Sequence, residues 1–145
     1  MKPIIASIEK GDKLYIVYQD LNKDYQIGEG IVTGFHHWTY TYGDRFEDYG
    51  TKPQTNILYE FGGIKFSRNL ENQEKQTYFY DSPLTMEKYD HLLGDGSVIV
   101  FTTYDEAKEC INSTLNHYIK IKNEQIKKLQ NEIKKYNDNL NNINN

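Results

Sequence analysis

Four histidines, one cysteine and a scatter of carboxylates are the groups with which this 145-residue chain could do acid–base, nucleophilic or metal chemistry. His36 and His37 are adjacent in a run that reads as extended, so their side chains point to opposite faces and do not converge on one metal. His91 and His117 stand far off at no ligand spacing, and the expected pattern is one surface and one packed histidine. Cys110 lies on the apolar stripe of a helical segment, where a small buried residue is expected. Glu106 and Glu109 beside it would raise its thiol pKa, the wrong direction for a nucleophile. A single cysteine also excludes an internal disulfide and the usual cysteine-based zinc site, which points to a reducing, cytoplasmic setting.

The carboxylates are equally unpromising. Asp44, Glu47 and Asp48, flanked by Tyr42 and Tyr49, make an acidic, aromatic loop without the alternate ligands and bidentate glutamate of a calcium loop. Asp81, Glu87, Asp90 and Asp95 are dispersed. Gly28-x-Gly30-x-x-x-Gly34 lies inside a strand-like run, and Gly94-x-Gly96 precedes a strand where a phosphate loop needs a helix N-terminus. The expectation is no catalytic residue, no metal and no cofactor.

What remains is aromatic. Alternation places Trp38, Tyr40 and Tyr42 on one strand face and His37, Thr39 and Thr41 on the other. Residues 1–104 hold 11 of the 13 Tyr, all 6 Phe and the one Trp, more than the interior of a small barrel needs. Three uses compete for that surplus: a protein interface, extra core, or a platform that stacks single-stranded bases. The same 104 residues carry 10 Lys+Arg against 15 Asp+Glu, which disfavours nucleic acid. The expected partner-binding set is therefore Trp38, Tyr40, Tyr42, Asp44, Glu47, Asp48 and Tyr49, facing a host protein.

The elements that must position these residues are short strands. Lys13–Gln19 reads as a strand with Leu14, Ile16 and Tyr18 on one face. Residues 25–35 form a second, interrupted by glycines of the sort that mark bulges and bends. The run 35–42 continues it or starts another. Two strand-like runs, 56–61 and 64–66, joined by Gly62-Gly63, predict a tight hairpin with a primed turn. Residues 77–80 and 97–101 supply the last strands. The fold class expected is α+β, a small curved antiparallel β-barrel over residues 1–103 followed by one long C-terminal helix.

That helix starts at a capping box, Thr103 with Glu106 three residues on. No Gly or Pro follows. It is expected over 104–140, with 141–145 a disordered tail, and at about 1.5 Å per residue it would exceed 50 Å. From Leu115 the apolar positions step by 4, 3, 4, 3: Leu115, Ile119, Lys122, Ile126, Leu129, Ile133, Tyr136, Leu140, Ile143. Isoleucine at a and leucine at d favour a parallel two-stranded coiled coil. The dimerisation set is Leu115, Ile119, Ile126, Leu129, Ile133, Tyr136 and Leu140. A helix folded back on its own barrel, or a frayed tail, are the alternatives.

No apolar run reaches the 18–20 or so residues of a membrane span, and the N-terminal segment lacks the apolar core of a secretory signal. The 15 Lys, 15 Ile, 14 Asn and 13 Tyr, with 2 Arg, indicate an AT-rich gene. Lys10 to Val17 (Lys-Gly-Asp-Lys-Leu-Tyr-Ile-Val) resembles the first strand of SH3-like barrels. Val100 to Ala107, leading into the helix, resembles the ending of small phage proteins from AT-rich hosts. The resemblance implies a non-enzymatic phage or mobile-element protein that binds and occludes a host protein, anti-CRISPR and other anti-defence inhibitors among them. A nucleic-acid-binding SH3-like accessory module is the alternative.

Overall fold

The computed structural model describes residues 8–43, 50–70, 78–82 and 97–145. Six strands, β1 (Lys13–Gln19), β2 (Tyr25–Tyr42), β3 (Gly50–Phe61), β4 (Ile64–Asn69), β5 (Tyr78–Asp81) and β6 (Val98–Phe101), precede one helix, α1 (Tyr104–Asn144). The strands form one antiparallel sheet in the order β4-β3-β2-β1-β6-β5, curled into a half-barrel. The acidic loop residues Asp44, Glu47, Asp48 and Tyr49, together with His91, lie outside the described residues.

The curl can be measured. Tyr59 on β3 and Phe79 on β5 are four strand spacings apart in the sheet, roughly 19 Å if it were flat. Their ring centroids are 5.9 Å apart. Leu14, Ile16, Val32, Ile57, Tyr59, Phe66, Phe79, Val98 and Val100 line the enclosed face, each almost wholly buried. Such side chains contribute about 1.5–3 kcal/mol apiece. Alternation in β1 runs as expected, with Leu14 and Ile16 inside and Tyr18 packed against the same cluster.

Two glycines set how tightly β2 fits. A Cβ on Gly28 would run into the Phe61 ring, and one on Gly30 would come 2.8 Å from Ile16 Cδ1. They act as clearance for core side chains, and the bend in β2 comes from elsewhere. Val32 pairs with Tyr59 and Gly34 with Leu58, leaving Thr33 as an extra residue, a β-bulge.

The bulge decides which way the rest of the strand faces. Before it, the even residues Gly28, Gly30 and Val32 face the core; after it, Phe35 does, packed with its pair partner Ile57. From there the even residues, Trp38, Tyr40 and Tyr42 among them, point outward. Deleting Thr33 removes the extra residue and leaves every later side chain on its present face. The variant is therefore expected to fold with Trp38, the only tryptophan, as open to acrylamide quenching as in the parent. A blue-shifted, protected indole would refute this account of the bulge.

The Gly62-Gly63 hairpin forms as expected, with φ of 57° and 79°, the left-handed values a primed turn requires. The helix starts where the capping box placed it: the Glu106 amide donates to Thr103 Oγ1 at 3.3 Å. It runs on to Asn144, so the segment from 141, read above as a tail, is helical almost to the end. Nothing in that stretch breaks it, since neither Gly nor Pro occurs after Gly96. The chain divides into two compact units, Met1–Lys108 and Glu109–Asn145. The first turn of α1 thus belongs with the sheet, where Ala107 is buried and Tyr104 meets Tyr15 edge to face. Among the described residues no helix is long and apolar enough to cross a membrane.

Candidate functional site

Beyond residue 36, β3 is the only neighbour of β2 among the described residues. The pairing of β2 with β1 covers Tyr25 to Ile31, and β4 joins β3 from Asn56 onward, with the Leu70 amide just after β4 donating to the Thr55 carbonyl at 3.0 Å. Among the described residues, 38–42 and 50–54 therefore form a two-stranded arm that extends past the sheet. A lone ribbon of this kind is only marginally stable in water, so side chains must hold it.

They do so on the outer face. Trp38 Nε1 donates to Asn56 Oδ1 at 3.0 Å, and Asn56 Nδ2 donates to Ser67 Oγ at 3.0 Å, a chain that spans β2, β3 and β4. Asn69 Nδ2 donates to Gln54 Oε1 at 2.8 Å, and Gln54 lies opposite Trp38 in the register and is buried. Farther out, Tyr40 and Tyr42 stack at 6.4 Å, and the Tyr42 ring occupies the space where Gly50 has no side chain. On the reverse face His37 Nδ1 and Thr55 Oγ1 are 3.0 Å apart.

The structure thus brings Trp38, Tyr40 and Tyr42 together on a held surface, with exposures of 37%, 51% and 51%. These values remove the reading in which the three were core. His36 and His37 are both exposed, so neither is the packed histidine expected, because no described residue packs a layer behind them. The two edges of the arm differ in kind. The β3 edge carries Lys52 and Pro53, residues that blunt pairing with another strand. From Gly30 to Gly43, β2 has neither charge nor proline.

A second feature was not visible in the sequence. Where the half-barrel stays open, Tyr59 Oη donates to Asp81 Oδ2 and the Ser82 amide donates to Oδ1 at 2.8 Å. Arg68, Tyr80, Asp81, Ser82 and Ser97 line a 250 Å³ opening there. Burial pushes the Asp81 carboxyl above the usual range, against the opposing pull of the Tyr59 hydroxyl, the Ser82 amide and the Arg68 charge. Tyr59 and Asp81 are 22 residues apart, and no local spacing links them.

A raised folded-state pKa adds stability below the ordinary carboxyl value of 3.8, and this is lost as pH rises through the raised value. Asp81→Asn should flatten that part of the stability profile above pH 3.8. Urea midpoints measured across the range check it. An unchanged slope would place the pH dependence in another group.

Cys110 is half-buried, with its thiol pKa raised by desolvation, the direction expected but from a cause other than the nearby glutamates. Among the described residues no group of His, Cys, Asp and Glu is arranged to hold a metal ion. A shallow 170 Å³ pocket between Val17, Tyr25, Tyr80 and Ile99 is small and lacks converging charge. No family model matches the chain, and neither the curated proteins nor the solved structures contain a match to it.

Proposed function

We propose that this is a non-enzymatic binding protein that occludes a protein partner with the outer face of the β2–β3 arm. One observation carries the reading: Trp38, Tyr40 and Tyr42 stand exposed in a row, with the indole fixed by hydrogen bonds across three strands. Rigid, half-exposed tryptophan and tyrosine are the residues that anchor protein interfaces, because they bury much apolar area at little entropic cost. The uncharged edge of β2 alongside them, which no described residue pairs with, suits an extended partner segment that would pair its backbone there. The partner as a host protein, and the chain as a phage or mobile-element inhibitor of host defence acting in the host cytoplasm, follow from the sequence resemblance.

The test is capture from host lysate by the immobilised full chain, with and without nuclease. A protein band that survives nuclease treatment is the expected result. Capture that vanishes with nuclease would replace this reading with the nucleic-acid-binding one, in which the same rings stack bases.

A further inference from the structure

We propose that a second copy of this chain covers the apolar seam of α1, parallel and in register with the first. Leu115, Ile119, Ile126, Leu129, Ile133, Tyr136, Leu140 and Ile143 are 42–72% exposed in the single chain, a stripe along the helix that only Lys122 interrupts. In α1 only Ala107 is buried, and residues 110–145 contain 10 of the 14 Asn, a poor helix former. A long exposed helix of that composition frays by itself, since helices in proteins are held by packing of one face. What covers the face must match its period. Steps of 4 and 3 average 3.5 residues, the repeat that keeps a seam against another helix of the same repeat by supercoiling.

The flanking positions fit a copy of the same chain. The e positions are Asn116, Asn123, Gln130 and Asn137, and the g positions are Tyr118, Gln125, Glu132 and Asn139. A parallel pair would set Gln125 against Gln130 and Glu132 against Asn137 of its twin, so no like charges meet there. Orientation follows from the core. Parallel pairing stacks Ile119, Ile126 and Ile133 on their twins at a, the arrangement isoleucine favours in two-stranded coils. The antiparallel alternative would pack Ile119 on Tyr136 and Ile133 on Lys122. Lys122 meets its twin in the parallel form, where its stem packs and its ammonium reaches water at a cost in affinity. The pairing stands without the reading of the arm.

Sedimentation of the full chain is expected to give twice 17.1 kDa. Ile126→Asp should return the monomer with the thermal transition of the sheet kept, and Lys122→Leu should tighten the dimer by about tenfold or more. In a Cys110→Ser background, Ile119→Cys should cross-link on oxidation and Lys120→Cys, off the seam, should not. A monomeric full chain, or a dimer indifferent to Ile126→Asp, overturns the proposal. A dimer that fails to cross-link through Ile119→Cys overturns the parallel register.

Discussion

Replacing Trp38 and Tyr40 together by alanine should weaken partner capture by roughly thirtyfold or more while the sheet unit keeps its fold. The loss is estimated from the ~2 kcal/mol or more that central aromatic anchors carry in interfaces. The preserved fold follows from position: both side chains lie on the outer face of an arm that extends past the core, and neither belongs to the buried cluster. Some local cost is expected. Removing the indole leaves Asn56 Oδ1 without its donor and uncovers Gln54, about 1 kcal/mol for a hydrogen bond lost at a partly wet site. The two readouts are binding to the captured protein and the thermal midpoint of the variant. Capture lost with the midpoint nearly unchanged supports the arm as the site. Full capture refutes it, and a collapsed midpoint would show that these rings are structural.

Gly28→Val should destabilise the sheet unit strongly. The added Cβ falls within the Phe61 ring, and Gly28 is held in place by its pairing with Ile16 of β1. Overpacking of a tight core costs about 1–3 kcal/mol. In a unit of about a hundred residues each kcal/mol lowers the midpoint by roughly 4–8 °C, so a fall of about 4–24 °C is expected. Phe61→Leu removes the ring and should recover part of that loss, because the two changes share one space. Strictly additive effects in the double variant would show that Gly28 is needed for some other reason.

Much of the architecture was legible in residue types and spacing. The Gly62-Gly63 hairpin, the Thr103 cap and the alternation of Leu14, Ile16 and Tyr18 all formed as read. Each depends on a few neighbouring residues and on rules of backbone geometry that act locally. The heptad of α1 is of the same kind: its 3.5-residue period is a property of the sequence, and the exposure of its side chains leaves it available to a partner. The glycines of β2 were legible only as an irregularity. Gly28 and Gly30 turned out to give room to Phe61 and Ile16, from strands on either side of β2, and the bulge sat at Thr33.

What the sequence by itself determined is the set of elements, the caps and turns that delimit them and the period of each amphipathic stretch. Tertiary structure alone decided where the aromatic row of β2 points. Period-2 alternation groups Trp38, Tyr40 and Tyr42, yet it also groups them with Val32, a core residue, on an unbroken strand. One unopposed residue at Thr33 separates the two groups, and it is unopposed only because β3 pairs with Val32 on one side and with Gly34 on the other. The Tyr59–Asp81 contact has the same origin. Four strand spacings separate these residues in the sheet, and only the curl of the whole sheet around its core closes the distance.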